Sequence, residues 1–514
     1  MKILTKSISL LLVALMALTA LIACKKDDPG VTGDSESNSE TEIETTQWGD
    51  VVIDNEIPKD LDYGGKAVNI LVRSGEQYRR EWFTEEPKNA LQQEIYYRNL
   101  EVEDELGVTL NYIVEAEGTK CESINDKILQ VARAGMGGYD IVNNYCRYAG
   151  NMNLLPYYAN LRSGEFTYLK LDQGYWSEEF NAVANNFGTQ IFCVGYANLS
   201  FYDRAMVLFF NKAEVERLEI GEEWLYDTAL SGGWTYEVFY NLVKDVWEDT
   251  GTTQGQKDKE DFVGISGIRG SECHSGLFYS LGCTVTETDE LGNHRVVTGT
   301  AKTHTENAYQ MLIDLWYSAG AFMSPVSMDN YIHFTEGHSL FNLDVVYHYE
   351  QGNNMMREME DGYGLIPCPK YDTDQEKYLS GAQDAFNSMS VLDHAQLNEE
   401  MISAVLELMA SKGYEQIRPY YFERIVKGQQ LDSKSGQCFD LVMEGVTLDY
   451  AEVYGVSIEG ARDVLWGDPF LKYGGYGTYY GGEATTFTAA YAANQTRLNE
   501  AIAAMDTFLI QLAG

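Results

Sequence analysis

A strand-helix-strand-helix-strand pattern opens the globular part of the chain and constrains its fold more than any other feature. Apolar, β-branched alternation predicts strands over residues 66–72, 108–114 and 139–143. Leucine and isoleucine at near-helical spacing predict helices over residues 90–106 and 123–134. This order predicts a mainly parallel sheet with helices on both faces, in which ligands collect beyond the carboxyl ends of the strands.

A similar α/β pattern starts again further along the chain. The predicted later elements are strands at residues 189–195, 205–210 and 339–346, a hairpin at 284–297, and helices at 213–218, at 308–318 and at 235–248 with Thr235 as its N-cap. About 450 residues follow Tyr63, which is more than a single core normally holds. The sequence therefore predicts an α/β protein with two lobes.

The amino terminus carries the pattern of an export signal. Two lysines precede an apolar run over residues 8–22, which is too short and wrongly flanked for a stable membrane span. The run ends in Leu-Ile-Ala-Cys24, which resembles the lipobox of bacterial lipoproteins and implies that residues 1–23 are removed and Cys24 is lipidated. An ordinary secretory signal with an incidental cysteine is the alternative. Residues 24–62 are polar and acidic, so we expect a disordered tether.

Charge and cysteine spacing argue against nucleic acid and metal ions as ligands. The formal net charge is −41, whereas phosphate binding needs clustered Lys and Arg. The cysteines have no C-x-x-C spacing and no histidine at a zinc-ligand interval, so no metal or cofactor is expected. Cys273 and Cys283 could form a disulfide, whereas Cys193 and Cys368 lie in apolar runs and are expected to be buried thiols.

Six short motifs stand in register between residues 65 and 409. They are an acidic helix that ends in glycine before a strand (98–108), a YDIV strand (139–142), an FNK strand end (210–212), a GWTY helix start (233–236), and the runs FTEGHSLF (334–341) and YGLIPCPK (363–370). Together they resemble the extracellular solute-binding proteins of ABC importers, in particular the maltose-binding and other sugar-binding lipoproteins. Residues 427–435 and 467–482 have no counterpart in the maltose-binding pattern.

The resemblance implies a two-lobed, periplasmic-binding-protein-like fold of type II. Each lobe is then a mainly parallel sheet flanked by helices, and the ligand cleft lies between the lobes. The implied boundaries are 63–204 with 370–430 returning for lobe 1, and 205–369 with 431–514 for lobe 2, joined by crossing segments near 203–210 and 367–381. The implied function is that of a monomeric, lipid-anchored protein on the outer face of the cell membrane, which captures a carbohydrate without turnover and delivers it to an ABC transporter permease.

Two other functions remain open on the sequence. A secreted glycoside hydrolase needs two carboxylates about 5 to 10 Å apart, and the many Asp and Glu residues could supply them. An all-helical, glycan-capturing lipoprotein that works with an outer-membrane channel is the other alternative. The strands predicted at Val108 and Phe341 count against it.

A carbohydrate site needs flat aromatic faces and planar polar groups that bond to hydroxyls. The chain has 36 Tyr and 8 Trp, so position relative to strand ends must select the candidates. They are Arg73 and Glu76 after the first strand, Asn144 and Arg147 after the third, Asp203 and Arg204 before the crossing strand, Tyr347 as a stacking platform, Asp384 as a hydroxyl acceptor, and Trp466. The alternatives are solvated loop positions for the polar residues, mutual pairing for Asp203 and Arg204, and core packing for Trp466.

Overall fold

The structure of the chain is a computed structural model with a mixed α/β fold. It describes residues 55–75, 81–83, 86–116, 123–135, 137–252, 254–255, 257–268, 271–324, 327–346, 356, 359–383, 385–422, 432–467 and 486–513, with the backbone alone at 271–275, 327–329 and 331. These residues belong to one compact unit, Trp48–Gly514. The export signal, Cys24 and the tether up to residue 54 lie outside the described residues.

Strands and helices alternate through most of the described chain. The strands are β1 (Lys66–Arg73), β2 (Val108–Glu115), β3 (Ile141–Tyr145), β4 (Asn185–Asn186), β5 (Thr189–Gln190), β6 (Met206–Asn211), β7 (Trp247–Glu248), β8 (Phe262–Ile268), β9 (Thr286–Thr288), β10 (His294–Val296), β11 (Ala321–Ser324), β12 (Ser339–Val345), β13 (Tyr363–Ile366), β14 (Ser380–Gly381), β15 (Asn387–Val391) and β16 (Val446–Thr447). The helices are α1 (Ala90–Leu106), α2 (Ser123–Arg133), α3 (Cys146–Ala149), α4 (Glu178–Ala184), α5 (Ser200–Asp203), α6 (Lys212–Arg217), α7 (Glu222–Leu230), α8 (Tyr236–Val243), α9 (Ser271–Ser280), α10 (Gly299–Trp316), α11 (Ser327–Thr335), α12 (Glu399–Lys412), α13 (Ser433–Met443), α14 (Tyr450–Val453) and α15 (Phe487–Ala513).

The first sheet is built mainly from the amino-terminal part of the chain. Its order is β2-β1-β3-β15, in which β2, β1 and β3 are parallel and β15 runs antiparallel to β3. Beyond β15, Cys193 pairs with Met389 and brings the segment that follows β5 to the far edge. The parallel sheet that the opening pattern predicted is therefore confirmed.

The second sheet repeats this arrangement with later residues. Its order is β11-β8-β12-β6-β13, with β11, β8 and β12 parallel and β6 antiparallel to both of its neighbours. Every residue of β6, β8 and β12 is buried. Strands covered on both faces have near-continuous apolar sequences, which is why these three lack the alternation of a half-exposed strand.

Each sheet contains one antiparallel strand that arrives from the other sheet. The chain leaves the first sheet beyond Cys193 and enters the second as β6, and it leaves the second after β13 and re-enters the first as β15. The second crossing begins in the segment predicted for it, near 367–381, whereas the first lies mostly before the predicted segment near 203–210 and overlaps only its start. The two sheets are consequently joined by exchanged strands, which is the α/β architecture with two lobes that the fold prediction described.

A contact from the carboxyl-terminal part reinforces the crossings. β14 pairs in parallel with β16, and Ala205 forms a bridge with Ala382. The N–H of Ala382 donates to the carbonyl oxygen of Thr447 at 2.9 Å. Gly445 permits this approach, because a Cβ there would lie 2.0 Å from the carbonyl oxygen of Tyr378.

Helix ends follow local capping chemistry. The side chain of Asn89 accepts the N–H of Gln92 at the start of α1, and Gly107 ends that helix with a φ of 58°, in the left-handed region that glycine adopts without strain. Asn398 and Asp432 cap α12 and α13 in the same way as Asn89. In α12 the polar residues are buried together with the apolar ones, because residues 401–411 are all buried.

Three predicted elements differ from the structure, and one of them is the helix predicted over residues 308–318, which is α10, Gly299–Trp316. The helix predicted to continue to residue 248 ends at Val243, because β7 pairs with β8 and the indole of Trp247 donates to Asp261 at 3.0 Å. Thr235 stands at the N-cap of α8, but its side chain makes no capping hydrogen bond. The strand predicted over residues 189–195 is reduced to β5 followed by single bridges.

The cysteines follow the prediction in part. Cys193 and Cys368 are buried thiols, and burial raises the pKa of each. Cys283 is also a buried free thiol, with its Sγ 3.8 Å from the carbonyl oxygen of Leu281. The Cys273–Cys283 disulfide that the sequence left possible is therefore not formed.

The carboxyl-terminal helices contact elements from the earlier and the later parts of the chain. α13 packs on β13 and α7, whereas α14 packs on α3 and α4. α15 contacts β5, β10 and α10. The residue boundaries of the two lobes, and the assignment of residues 431–514 to the second, stay predictions.

Candidate functional site

The carboxyl ends of the central parallel strands adjoin the crossing segments in both sheets. At the end of β3 the N–H of Cys146 donates to the carbonyl oxygen of Phe386 at 3.0 Å, just before β15 begins. At the end of β12 the N–H of Val346 donates to the carbonyl oxygen of Ala205 at 3.0 Å, just before β6 begins. Side chains at these strand ends are therefore the candidates for a ligand site, as in other open α/β sheets.

Asn144 shapes the end of β3 through its side chain. The residue is fully buried, and its Nδ2 donates to Oδ1 of Asn125 at 2.9 Å. Its own Oδ1 accepts the N–H of Tyr145 at 2.8 Å. Both ends of the amide are thus bonded within the protein, and the side chain fixes the turn from β3 into α3.

Two half-buried tyrosines form an edge-to-face pair at the same place. The ring centroids of Tyr145 and Tyr148 are 5.1 Å apart with an interplanar angle of 83°. The guanidinium carbon of Arg73 lies 4.6 Å from the centroid of Tyr145, and that of Arg147 lies 5.9 Å from the centroid of Tyr148. Flat aromatic faces held by cations are suited to stack against the C–H face of a sugar ring.

Arg73 lies beneath this pair rather than in the loop where the sequence placed it. It is the last residue of β1 and is fully buried. Its Nη1 donates to Oδ1 of Asn387 at 2.9 Å and to the carbonyl oxygen of Ala385 at 3.5 Å. Glu76, the other candidate from this loop, lies outside the described residues.

A buried carboxylate, Glu81, bonds to three segments around Arg73. Its oxygens accept the N–H of Ser200 at 2.7 Å and the hydroxyl of the same residue at 3.2 Å. They also accept the side-chain amides of Asn387 at 2.7 Å and of Asn143 at 3.3 Å. Burial raises the pKa of Glu81, and these hydrogen bonds oppose the rise because they favour the ionised form.

Arg147 is tied to the carboxyl-terminal part of the chain. Its Nη2 lies 2.6 Å from Oδ2 of Asp463, and Oδ1 of that carboxylate accepts from Arg462 at 2.8 Å. Arg462 forms a buried two-point pair with Glu452 at 3.0 and 2.9 Å, and Glu452 accepts the hydroxyl of Tyr279 at 2.5 Å. Charged groups therefore lead from the end of β3 to Glu452, which accepts from Tyr279 of α9.

The remaining predicted residues have mixed positions. Asp203 ends α5 and is 2% exposed, and the carbonyl oxygen of Arg204 accepts the N–H of Gln383 at 2.8 Å. Trp466 is fully buried, with its ring centroid 3.8 Å from that of Phe278, which is the core position that the sequence left open for it. Tyr347 and Asp384 lie outside the described residues.

An aromatic pocket lies between α13 and the helical segment that continues α12. Its empty volume is about 300 Å³, open solvent included, and its walls include Tyr196, Arg418, Phe422, Phe439 and Asp440. The ring of Tyr196 stacks on that of Tyr202 at 4.6 Å. Burial raises the pKa of Tyr196 to about 12, so its hydroxyl stays protonated at neutral pH.

The sequence did not predict four further candidates that the structure adds: Tyr145, Tyr148, Tyr196 and Arg418. A signal existed for the first two, because they flank Arg147 directly after a predicted strand. Tyr196 and Arg418 are far apart in the sequence, so no local pattern could bring them together.

Two further features of the described residues concern metal binding and membrane crossing. Among them, no group of three or more His, Cys, Asp or Glu side chains could hold a metal ion. No helix in the same part of the chain is both long and apolar enough to cross a membrane.

Comparison with known proteins identifies the fold. No family model and no curated protein sequence matches the chain. The GacH receptor of Streptomyces glaucescens, solved unliganded and with acarbose, matches with a TM-score of 0.52 and 13% identity over 86% of this chain and 99% of that chain. A solute-binding protein of an ABC transporter from Thermotoga lettingae, bound with α-D-tagatose, matches with a TM-score of 0.52 and 10% identity over 85% of this chain and 100% of that chain.

A third solved structure agrees with these two. A cyclo/maltodextrin-binding protein complexed with maltotetraose matches with a TM-score of 0.51 and 10% identity over 87% of this chain and 97% of that chain. At such identities the likeness concerns the fold. The chain spans nearly the whole of each of these proteins, and it has the two-lobed α/β fold of extracellular solute-binding proteins.

Proposed function

We propose that the chain captures a carbohydrate between its two lobes and delivers it, without turnover, to the permease of an ABC transporter. The observation that carries this proposal is the Tyr145–Tyr148 pair, backed by Arg73 and Arg147 at the carboxyl end of β3. An aromatic surface with guanidinium groups beside it offers both the stacking face and the hydrogen-bond donors that a sugar needs. The fold neighbours were solved with acarbose, tagatose and maltotetraose, which supports the same ligand class.

The two lobes divide the proposed site between them. Lobe 1 (63–204 with 370–430) presents the tyrosine pair, and Arg147 bonds sugar hydroxyls from the same edge. Tyr347 of lobe 2 (205–369 with 431–514) stacks on the opposite face, and Asp384 accepts a hydroxyl from the returning segment. A sugar that contacts both lobes favours their closed arrangement, since only that arrangement makes all of its contacts.

The other predicted residues take supporting roles in this proposal. Asn144 orients the turn that carries the tyrosine pair, and Asp203 fixes the start of the crossing strand. Glu76 keeps its predicted role as a ligand-binding residue in this proposal, and Trp466 packs in the core against Phe278.

The proposed location is the outer face of the cell membrane. Cys24 becomes the lipidated amino terminus after residues 1–23 are removed, and two acyl chains suffice for stable anchoring where one does not. The acidic segment 24–62 then tethers a monomeric binding protein close to its permease. Mass spectrometry of the membrane fraction should find a diacylated Cys24, and Cys24→Ala should release a folded protein. A mature protein that begins elsewhere would overturn the anchoring.

Titration calorimetry tests the ligand class. Purified protein is titrated with acarbose, tagatose and maltotetraose, and with a dipeptide and an amino acid as controls. We expect saturable binding to at least one of the sugars. Binding of the dipeptide or the amino acid alone would refute the carbohydrate assignment.

Product analysis tests the absence of turnover. Maltotetraose incubated with the protein should be recovered intact by chromatography, with boiled protein as the control. Release of shorter sugars by the active sample alone would favour the glycoside hydrolase instead.

A further inference from the structure

Glu81 sits where three segments of the first lobe meet. It is 2% exposed, and its donors come from β3, from β15 and from the start of α5. An ionised carboxylate accepts hydrogen bonds and donates none, so every group that faces it must present a donor. The carboxylate of Glu81 therefore determines how its neighbours are oriented.

Asn387 is the neighbour whose orientation has the furthest effect. Its Nδ2 donates to Glu81 at 2.7 Å, which leaves its Oδ1 to accept from Nη1 of Arg73 at 2.9 Å. Asn198 holds the same strand, since its Nδ2 donates to the carbonyl oxygen of Asn387 at 3.2 Å. If the amide of Asn387 turned over, its NH₂ group would face the guanidinium of Arg73, which has only donors.

Arg73 in turn supports the ring of Tyr145. Its guanidinium carbon is 4.6 Å from the ring centroid, within the range of a cation–π contact, and the guanidinium is fully buried. A displaced guanidinium would leave the ring without this support. A continuous set of contacts thus leads from Glu81 through Asn387 and Arg73 to the tyrosine.

We propose that Glu81 is a positioning residue of the carbohydrate site: its carboxylate sets the amide of Asn387 so that Arg73 holds the ring of Tyr145 in place. This proposal rests on the proposed function for its meaning, but its geometry can be tested without a ligand. Glu81 acts through Asn387 and Arg73 and does not itself contact the sugar.

Glu81→Gln is the informative substitution. It keeps the shape of the side chain but replaces one acceptor oxygen by an NH₂ group in a position surrounded by donors. The backbone N–H of Ser200 cannot turn away, so the remaining oxygen stays on it and the NH₂ group takes the position of Oε1. There it faces the amide of Asn387, which loses its fixed orientation. We expect the ring of Tyr145 to become mobile.

The ring is observed directly with a 3-fluorotyrosine introduced at position 145 alone. Its ¹⁹F resonance should be sharp in the otherwise unchanged protein and should broaden or split in Glu81→Gln. Glu407→Gln is the matched control, because Glu407 is also a fully buried carboxylate that accepts from the indole of Trp176 at 3.2 Å and from the N–H of Lys170 at 3.0 Å. It should lower the unfolding midpoint without changing the resonance at position 145.

A rescue separates positioning from general loss of stability. Combining Glu81→Gln with Asn387→Asp places an acceptor where the introduced amide and Arg73 both donate, so the sharp resonance should return. With maltotetraose as the probe, Glu81→Gln should weaken binding about tenfold, and the double variant should recover most of that loss. If Glu81→Gln does not fold, Glu81→Asp withdraws the same carboxylate from its donors and should broaden the resonance as well.

The outcomes distinguish the two proposals. An unchanged resonance in a folded Glu81→Gln or Glu81→Asp variant overturns the positioning role, whatever the sugar affinity. An equal change in Glu407→Gln overturns it too, because the effect would then be one of stability. Failure of the unchanged protein to bind any carbohydrate overturns the proposed function and leaves the resonance test valid.

Discussion

The ends of β3 and β12 share one backbone arrangement and differ in chemistry. The side-chain oxygen of Asn144 accepts the N–H of Tyr145 at 2.8 Å, and that of Asp344 accepts the N–H of Val345 at 2.8 Å. Beyond each turn, the next N–H donates to the chain that arrives from the other sheet. The strand order alone accounts for this likeness.

The layers beneath the two ends are different. Under β3 lie the charged side chains Arg73 and Glu81. At β12 the bonded side chains below the buried carboxylate of Asp344 are neutral: Oδ1 of Asn342 accepts from Ser266 at 3.0 Å and from Asn330 at 2.8 Å. Topology thus fixes where the strand ends meet, and the buried side chains decide which of them carries an organised polar surface. We expect the first lobe to contribute the preformed part of the site.

The free energy of unfolding should be most sensitive to the charged side chains that lead from the end of β3 towards α9. Arg462→Met removes one partner of the buried pair with Glu452, which leaves a carboxylate 3% exposed without its cation. We expect the free energy of unfolding to fall by about 3 to 5 kcal/mol in urea titrations. Lys434→Met, which breaks an exposed pair with Glu223 and Asp227, should leave the urea midpoint unchanged. Equal shifts in both variants would contradict the role of Arg462.

Ligand affinity should depend on an aromatic face at each strand end. Loss of a stacking face from a desolvated site costs about 2 to 4 kcal/mol, so Tyr145→Ala and Tyr347→Ala should each weaken binding of the best sugar by about thirtyfold or more. Tyr97→Ala is the control, because that ring is 47% exposed on α1. Calorimetry that finds wild-type affinity for Tyr347→Ala would remove the second lobe from the site, and the same result for Tyr145→Ala would remove the first.

The second lobe should lose stability in acid through His333. Burial lowers the pKa of its imidazole from 6.5 to about 4, so the unfolded chain takes up a proton in that interval and the folded protein does not. This stability is complete above pH 6.5 and is lost as the pH falls to about 4, with a total of about 3 kcal/mol. Urea titrations across this range should show a smaller loss for His333→Gln than for the unchanged protein. Parallel curves would mean that the imidazole titrates normally.

The smallest loss of stability should come from a substitution that makes the end of β3 resemble the end of β12. Asn144→Asp retains the oxygen that accepts the N–H of Tyr145 but loses the donor to Asn125. We expect a loss of about 1 to 2 kcal/mol in the free energy of unfolding. Asn111→Asp on the exposed face of β2 is the matched control and should stay within about 0.5 kcal/mol. A loss no larger than that of the control would show that Asn125 turns over and compensates.

Local patterns in the sequence were sufficient for the elements of the first sheet. β1, α1 and β2 were predicted within a residue or two, since alternation, helical spacing and the glycine at 107 act over short distances. The pairing of β15 with β3 has no local signal, because the two strands are far apart in the chain. The resemblance to a known family implied only that residues 370–430 return to the first lobe.

The candidate site was predictable where it depended on strand ends. Asn144 and Arg147 follow a predicted strand and lie where that strand ends. Tyr145 was missed although it follows the predicted strand and precedes Arg147 by two residues, because tyrosine is common in this chain, with 36 in all. Glu81 was missed for a different reason: its donors come from three separate segments, and only the folded chain brings them together.

The exchange of strands between the two sheets has a consequence for folding during synthesis. The first sheet lacks its fourth strand until Asn387–Val391 has left the ribosome, so the edge of β3 has no partner for most of translation. Non-local pairings of this kind close slowly, because the intervening loop entropy must be overcome first. The nascent chain should therefore remain open until most of it has been made, and neither half should fold when expressed alone.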